Sequence, residues 1–384
     1  MTSSIRKARK PSAAPRPDQA TAIPPTSRKR AAFHLLKVAK LDRITDDAVA
    51  ITFEVPEHLR EEFSFLPGQH LAVRATIAGD DIRRNYSICA PVNSGVLRIG
   101  VKRLPGGVFS SYAIERLQVG DSLEVLSPTG SFSTPLDPAQ AKHYGAIAAG
   151  SGITPILSIL ASALEAESGS RATLIFVNHN TNSIMFLEDV EDLKNKYLGR
   201  LQVFHVLDGE RQEPEILSGK LDPERLTGIL DSFASHPGVD EWFLCGPIGL
   251  TDMVRDTLRS RGVNDKVIRR ELFHADATPP RRPPTADDGT AKGFTVTVIL
   301  DGRGTSFQLP GNTEPILDAT LRLRGDAPYA CKNGVCGTCR SRLVSGSVEM
   351  VQNFSLEPDE IEAGYVLACQ AYPTSDDVVL DFDQ

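Results

Sequence analysis

Four cysteines near the carboxyl end of the chain have the spacing of an iron–sulfur site. They follow the pattern C-x4-C-x2-C and, after twenty-nine further residues, a fourth cysteine, and they are Cys331, Cys336, Cys339 and Cys369. This spacing is typical of plant-type [2Fe–2S] clusters. Gly334 and Gly337 lie inside the loop, where they let the backbone fold tightly around a cluster. A structural zinc site is the alternative, but such sites usually have two C-x2-C pairs and this segment has one. The spacing therefore predicts a one-electron carrier.

Two motifs far upstream have the residue types that a flavin needs. In the first, residues 83–91, Arg84 can clamp a diphosphate, the Tyr86 ring can stack on an isoalloxazine, and the Ser87 hydroxyl can hydrogen-bond the flavin edge near N5. In the second, residues 101–112, two glycines open a predicted helix, whose N-terminus attracts a pyrophosphate. The alternative for Tyr86 is an ordinary aromatic residue of the core.

A third motif, AAGSGITP at residues 148–155, fits a dinucleotide. Gly150 and Gly152 allow close backbone approach, and the helix predicted to begin near Thr154 and Pro155 presents its N-terminus to a diphosphate. The third glycine of the usual G-x-G-x-x-G pattern is missing. Cys245-Gly246-Pro247 follows a predicted strand, at the edge where such sheets bind ligands. A buried thiol in a tight turn is the alternative for that tripeptide.

The pattern of apolar residues places these motifs in three different folds. Six short runs between residues 33 and 126 predict an antiparallel β-barrel. Strands and helices that alternate over residues 143–273, with helices near 153–165, 187–196 and 249–261, predict a parallel, doubly wound α/β sheet. A hairpin at Asp301-Gly302 and a helix near 315–322 predict an α+β, β-grasp-like ferredoxin domain. The predicted division is a disordered basic tail at 1–31, a flavin domain at 32–135, a nucleotide domain at 136–274, a linker at 275–292 and the ferredoxin domain at 293–384.

Composition indicates which partners and which cellular location suit the chain. The 384 residues carry a formal net charge of −7, and residues 293–384 hold thirteen acidic against six basic residues. That acidic segment suits a basic protein partner, with simple solubility as the alternative. No apolar run is long enough to span a membrane, and no nucleic-acid partner is expected. Free cysteines without a signal-peptide core predict a reducing, cytoplasmic location.

The motifs R-x-Y-S, G-G-x-x-S, G-x-G-I-T-P and C-G-P, followed by the cysteine loop, resemble the ferredoxin–NADP reductase superfamily. The order of flavin, nucleotide and C-terminal ferredoxin domains, over about residues 33–384, resembles the electron-transfer components of bacterial oxygenases. Stretches such as VKRLPGGVFSSY and AAGSGITPILSIL are most similar to the reductase subunits of phenylacetyl-CoA 1,2-epoxidases, which serve phenylacetate degradation. The reductases of steroid 9α-hydroxylases share the layout and are the nearest alternative.

The resemblance implies a set of binding residues and a direction of electron flow. The residues implied for FAD are Arg84, Tyr86, Ser87, Val101, Lys102, Gly107, Val108 and Ser110, with Phe273 as a cap. Those implied for the nucleotide are Gly150, Gly152, Thr154, Pro155, Cys245 and Gly246, with Ser87 and Cys245 nearest the reacting atoms. Electrons are expected to pass from NADPH through FAD and [2Fe–2S] to a multisubunit oxygenase or epoxidase.

One departure from the family pattern leaves the choice between NADPH and NADH open. After the second nucleotide-domain strand the family commonly has Gly-Asn-Arg, whereas this chain has Asn178-His179-Asn180, with neither an arginine for a 2′-phosphate nor an acid for a 2′-hydroxyl. NADPH is the expectation and NADH the alternative. Two other functions are weighed against the reductase: a flavohaem- or hybrid-cluster-type redox enzyme that acts on a small substrate, and a sensory protein with a degenerate flavin fold.

Overall fold

The computed structural model describes residues 33–232, 238–273, 293–356 and 358–384. The predicted basic tail at 1–31 and the whole predicted linker at 275–292 therefore lie outside the described residues. Three main sheets follow one another along the chain, and each consists of strands from one continuous stretch of sequence. Among the described residues, no helix is both long and apolar enough to cross a membrane.

The first sheet is the predicted antiparallel barrel. Inward positions alternate with outward ones, so that Leu36 and Val38 are buried while Leu35 and Lys37 are exposed. An isolated bridge between Ile88 and Ile99 brings the two ends of the sheet together. All six predicted strands are present, in the order β4-β3-β6-β1-β2-β5. The elements are β1 (Phe33–Thr45), β2 (Ala48–Glu54), β3 (His70–Ile77), β4 (Asp80–Ser87), β5 (Leu97–Lys102), helix α1 (Val108–Glu115) and β6 (Ser122–Leu126).

The second sheet is parallel and doubly wound, as predicted. Its central strands are buried along almost their whole length because helices cover both faces. The strand order is β11-β10-β7-β8-β9. The elements are β7 (His143–Ala149), α2 (Ile153–Ala166), β8 (Arg171–Asn178), α3 (Leu187–Lys196), β9 (Leu201–Leu207), α4 (Pro223–Ser232), β10 (Glu241–Cys245), α5 (Ile248–Ser260) and β11 (Ile268–Glu271).

Helix α4 was not predicted, although the sequence signals it. Asp222 lies just before the helix, and its carboxylate accepts a hydrogen bond of 2.8 Å from the backbone N–H of Arg225. Leu226, Ile229 and Leu230 are buried at the i, i+3 and i+4 spacing of a helix face.

The third sheet belongs to the predicted ferredoxin domain. The Asp301-Gly302 hairpin is confirmed, with both residues at positive φ (56° and 67°), as a tight two-residue turn requires. The strand order is β13-β12-β18-β14-β16, and β15 pairs separately with β17. The elements are β12 (Gly293–Leu300), β13 (Arg303–Pro310), α6 (Ile316–Leu321), β14 (Arg340–Ser345), β15 (Val348–Met350), α7 (Pro358–Glu362), β16 (Tyr365–Leu367), β17 (Ala371–Pro373) and β18 (Asp377–Asp381).

Helix α2 holds the barrel and the parallel sheet together. The Ser158 hydroxyl donates a hydrogen bond of 2.7 Å to the carbonyl of Ala90 in the barrel, and the Ser162 hydroxyl accepts one of 2.9 Å from the N–H of Val92. Twelve residues of the helix are buried because the sheet covers one side and the barrel the other. The flavin motifs and the dinucleotide motif are therefore fixed relative to each other.

Candidate functional site

The fold brings the three cysteines of the loop together with the more distant Cys369. Electrostatic interactions join Cys331 to Cys336 and Cys369, and Cys339 to the other three. Among the described residues, no three or more His, Cys, Asp or Glu side chains converge on the position of a single metal ion. A zinc site needs four ligands around one point, whereas a two-iron cluster is held by ligands on either side of it. Four neighbouring thiols, three of them from one loop, match the ligand set of a [2Fe–2S] cluster.

Backbone and amide donors surround these sulfurs. The N–H of Asn333 points at Cys331 Sγ (3.3 Å), and the N–H of Cys369 points at Cys339 Sγ (3.5 Å). The side-chain amide of Gln370 lies 3.7 Å from Cys369 Sγ. Such donors stabilise negative charge on sulfur, which a cluster and its thiolate ligands carry.

The loop also favours a thiolate at Cys336, its middle cysteine. A hydrogen bond from Cys331, against the opposing effect of burial, lowers the pKa of Cys336 to about 5. Gly334 has a φ of 71°, and a Cβ atom there would lie 3.1 Å from the carbonyl oxygen of Gln352. The loop therefore needs glycine at this position to reach its shape.

The three predicted groups of the flavin motif on β4 differ in exposure: Arg84 is exposed, Tyr86 half-buried and Ser87 buried. The half-buried Tyr86 ring packs against Phe109 of α1, with centroids 5.4 Å apart, so it is also a core aromatic residue, as the alternative proposed. Arg84 is exposed, and its guanidinium donates only to the neighbouring carbonyl of Arg83 (2.7 Å) in the described chain. Phe273, after the last strand of the parallel sheet, remains 37% exposed. An aromatic face and a free guanidinium are thus available to a flavin.

Hydrogen bonds of the Ser110 side chain hold the turn before α1 in shape. Gly107 is the N-cap of the helix, and Val108 lies exposed at its first turn. The buried Ser110 hydroxyl donates to the carbonyl of Gly107 (3.1 Å) and accepts from the N–H of Leu104 (3.1 Å). Contact between Ser110 and a pyrophosphate stays a prediction, and the structure gives this residue a role in shaping the turn.

Two further residues of the flavin set lie on β5. Val101 is fully buried, so only its backbone can line a flavin, as the resemblance implies. The ammonium of Lys102 lies 3.7 Å from the carboxylate of Asp47. Their contacts with FAD stay predictions.

The dinucleotide motif contacts the Cys-Gly-Pro turn directly. A Cβ atom on Gly152 would lie 2.1 Å from the carbonyl oxygen of Cys245, so only glycine fits between β7 and α2. Thr154 is buried, and its hydroxyl donates to the carbonyl of Ser151 (3.0 Å), which fixes the start of α2 beside the buried Pro155. The N–H groups at this helix end suit a diphosphate.

The thiol of Cys245 is less accessible than its predicted role requires. Its exposed fraction is 0%, and burial raises its pKa well above that of a free cysteine. The structure thus agrees with the alternative of a buried thiol in a tight turn, while Gly246 beside it is half-buried. Contact of Cys245 and Gly246 with a nicotinamide stays a prediction.

Sequence reasoning missed two residues that link the flavin and cluster sites. Ser87 is 3% exposed, and its hydroxyl donates to a carboxylate oxygen of Glu271 (3.0 Å). The other carboxylate oxygen lies 3.9 Å from Nδ1 of the buried His70, which also faces the backbone of Cys336. Burial opposes the charged form of His70, but its interaction with the Glu271 carboxylate prevails and raises its pKa. Position at the carboxyl end of β11 was the only signal for Glu271.

The cysteine loop packs on the flavin barrel. Cys336 and Ala330 share an apolar contact with Ala72 and Leu126 of the barrel. Asn85, which lies between Arg84 and Tyr86, donates a hydrogen bond of 3.2 Å to the hydroxyl of Thr338. At this junction lies a cleft of about 1220 Å³, whose lining includes His70, Glu271 and Cys336. The residues implied for FAD and those for the cluster therefore adjoin one another.

Three family models match the chain in the order of its sheets. They are an oxidoreductase FAD-binding domain over residues 35–134, an oxidoreductase NAD-binding domain over 146–256 and a 2Fe-2S iron-sulfur cluster binding domain over 298–374. With the geometry above, these matches define the class of the protein. It is a pyridine-nucleotide-dependent oxidoreductase with FAD and [2Fe–2S] domains.

Relatives of known role show to which family within this class the chain belongs. The chain is 44% identical to a subunit of the 1,2-phenylacetyl-CoA epoxidase of Escherichia coli K12, over 91% of this chain and 98% of that protein. It is 33% identical to the ferredoxin reductase component of the 3-ketosteroid-9-alpha-monooxygenase of Rhodococcus rhodochrous, over 91% and 96%. Phthalate dioxygenase reductase, a solved structure, matches with a TM-score of 0.54 and 25% identity, over 91% and 98%. The chain belongs to the family of oxygenase reductase components that includes this epoxidase protein.

Proposed function

We propose that this chain is the reductase component of a phenylacetyl-CoA epoxidase and acts in the cytoplasm. In this role it takes electrons from NAD(P)H and passes them through FAD and [2Fe–2S] to the multisubunit di-iron oxygenase. The observation that carries the proposal is the packing of Cys336 against Ala72 and Leu126, because it sets the one-electron carrier beside the flavin barrel. The 44% identity to the Escherichia coli epoxidase protein, over nearly the full length of both chains, supports the choice of acceptor.

Residues of this chain offer hydrogen bonds to both the nucleotide and the flavin. The N-termini of α1 and α2 offer N–H groups to the two diphosphates. Bound FAD supplies the ability to accept two electrons as hydride and release them singly, which joins a two-electron donor to a one-electron carrier. Because the hydrogen of the Ser87 hydroxyl is committed to Glu271, its oxygen lone pairs would be free to accept a hydrogen bond from N5–H of a reduced flavin.

Three independent binding units are part of the proposal. We place the flavin unit at 32–135, the nucleotide unit at 136–274 and the ferredoxin unit at 293–384, with 1–31 and 275–292 outside them. The spans of the three family models, 35–134, 146–256 and 298–374, support these boundaries.

Purified protein tests the cofactors first. The visible spectrum is expected to show flavin bands with [2Fe–2S] shoulders, and a reduced pyridine nucleotide is expected to bleach both under argon. A colourless protein after cluster and flavin reconstitution contradicts the proposal.

Reconstitution with an oxygenase then tests the partner. The holoprotein is combined with the catalytic subunits of a phenylacetyl-CoA epoxidase, and oxidation of nucleotide is expected only when phenylacetyl-CoA is added. The second candidate, supported by the 33% identity to the ketosteroid monooxygenase component, is a steroid oxygenase reductase. Faster turnover with that oxygenase and its steroid than with the epoxidase favours the second candidate.

A further inference from the structure

Strand β4 divides the side chains of the flavin motif between two faces, because successive side chains of a strand point in opposite directions. Arg84 and Tyr86 belong to the residues implied for FAD, and Arg83, Asn85 and Ser87 alternate with them. The three alternating residues all contact residues outside the barrel. The strand that carries the flavin groups is therefore also a contact surface for other domains.

Asn85 reaches the segment between two predicted cluster ligands. Its side-chain Nδ2 donates a hydrogen bond of 3.2 Å to the hydroxyl of Thr338. Thr338 is 8% exposed and lies between Cys336 and Cys339 in the sequence. One hydrogen bond thus joins a residue of the flavin motif to the loop that holds three of the four cysteines.

Thr338 in turn interacts with the sulfur of Cys336. The pKa of Cys336 is lowered to about 5, first by Cys331 and further, against the effect of burial, by His70 and by the hydroxyl and backbone N–H of Thr338. A threonine hydroxyl has one hydrogen to donate and two lone pairs that accept. Because Asn85 offers an N–H, it occupies a lone pair of the Thr338 oxygen and leaves the hydroxyl hydrogen for the sulfur.

The chemistry of the sulfur favours this orientation of the amide. If Asn85 Oδ1 faced Thr338, it would accept the hydroxyl hydrogen and turn it away from Cys336. Cluster ligands are thiolates, and a hydrogen bond to a charged acceptor is stronger than one to a neutral amide oxygen. The amide nitrogen therefore faces Thr338, as the structure has it.

The acceptor end of the Asn85 side chain adds nothing to the stability of the fold. Its Oδ1 is buried and has no hydrogen bond among the described residues. A buried acceptor without a partner is costly. Stability alone therefore does not account for an asparagine at this position, whereas its donor end has a defined partner near a cluster ligand.

We propose that Asn85 is a positioning residue that tunes the reduction potential of the cluster from the flavin domain, through the hydroxyl of Thr338. Hydrogen bonds to cluster sulfurs raise this potential, because they stabilise the additional negative charge of the reduced state. Asn85 belongs to the barrel, so its effect exists only while the cysteine loop is packed there, which makes the cluster easier to reduce beside the flavin. The inference rests on the proposed function, since it requires a [2Fe–2S] cluster at the four cysteines.

Redox potentiometry of the holoprotein tests the role of Asn85. Electron paramagnetic resonance counts the reduced clusters at each applied potential. Asn85→Leu keeps the branching at Cγ but has no donor, and it is expected to lower the equilibrium constant for cluster reduction about tenfold, equivalent to about 59 mV for one electron. Asn85→Ala serves if the leucine variant folds poorly, as judged by its flavin content. A wild-type potential in the folded variant overturns the inference.

Variants of Thr338 test whether Asn85 acts through this hydroxyl. Thr338→Val removes the hydroxyl and is expected to lower the potential as Asn85→Leu does, whereas Thr338→Ser keeps the hydroxyl and is expected to keep the potential. Because the two residues share one chain of hydrogen bonds, Asn85→Leu is expected to lower the equilibrium constant by less than about threefold further in the Thr338→Val background. Additive effects of the two changes overturn the inference.

Thr297→Val is the matched control in the ferredoxin domain. The Thr297 hydroxyl shares an exposed hydrogen bond of 2.8 Å with the hydroxyl of Ser306, and its removal is expected to leave the potential unchanged. An equal fall in this control makes the effect a general one of the domain and overturns the assignment to Asn85. A wild-type protein that shows no cluster signal after reconstitution instead contradicts the proposed function.

Discussion

The guanidinium carbon of Arg83 lies 4.1 Å from the centroid of the Tyr329 ring and joins the flavin barrel to the ferredoxin domain. Arg83 is 5% exposed, lies 5.3 Å from the ring of Phe33 and donates to the carboxylate of Asp81 (3.1 Å). A cation held over an aromatic ring away from water contributes about 2 kcal/mol. This contact is thus a principal attachment of the cluster loop to the barrel.

Replacing Tyr329 is expected to loosen that attachment. Tyr329→Leu removes about 2 kcal/mol from docking, which lowers the ratio of docked to undocked ferredoxin domain about thirtyfold. Reduction of ferricyanide by the flavin is expected to persist, while reduction of cytochrome c through the cluster slows by up to that factor. Tyr365→Leu is the matched control because it removes a similar contact, with Arg340 at 3.6 Å, inside the ferredoxin domain. An equal slowing in the control refutes the docking role.

Loss of one cluster ligand is expected to separate the two halves of electron transfer. Cys336→Ser should keep reduction of the flavin by nucleotide but lose reduction of cytochrome c, because the cluster loses a thiolate ligand. The electron paramagnetic resonance signal of the reduced protein reports the cluster directly. Cys89→Ser is the control, since Cys89 is a buried barrel thiol that donates to the carbonyl of Arg98 (3.3 Å). Equal loss of both activities in the Cys336 variant means that the cluster is structural.

The Ser87 hydroxyl is expected to matter for the flavin and little for the fold. Ser87→Ala removes one hydrogen bond with Glu271 and the predicted bond to the flavin edge, so the rate of flavin reduction is expected to fall about tenfold, the equivalent of ~1.4 kcal/mol. Stopped-flow absorbance with saturating nucleotide measures this rate. Ser341→Ala, a change at a buried serine of the ferredoxin domain, should leave it unaltered. An unaltered rate in the Ser87 variant refutes the contact with the flavin.

Local patterns were sufficient to predict most of the fold. The alternation of apolar residues located all six barrel strands, and the Asp301-Gly302 pair located a hairpin, because these signals depend only on neighbouring residues. Helix α4 was missed although its cap at Asp222 and its apolar stripe are both local signals.

Much of the site depends on distant pairs that no local pattern contains. Cysteine spacing predicts the cluster ligands because one short loop holds three of them, and the match to a 2Fe-2S domain over residues 298–374 supports this prediction. The contact of Ser87 with Glu271 joins residues 184 positions apart, and that of His179 with Asp208 joins two strand ends. Such pairs arise from sheet order, which the sequence does not display. The Cys-Gly-Pro tripeptide alone is typical of a buried thiol, as the structure has it, whereas the role of Cys245 beside a nicotinamide was implied only by the family resemblance.

Gly152 is expected to tolerate no side chain. Its added Cβ would lie 2.1 Å from the carbonyl oxygen of Cys245, which belongs to backbone and cannot rotate away. Gly152→Ala is therefore expected to cost about 1–3 kcal/mol and to lower the melting temperature of the nucleotide domain by roughly 2–10 °C. Gly249→Ala in α5 is the matched control, since nothing lies within 4 Å of its added Cβ, and it is expected to keep or raise stability by up to ~1 kcal/mol. Thermal melts followed by circular dichroism compare the two, and equal melting temperatures contradict the close contact between the dinucleotide turn and the Cys-Gly-Pro turn.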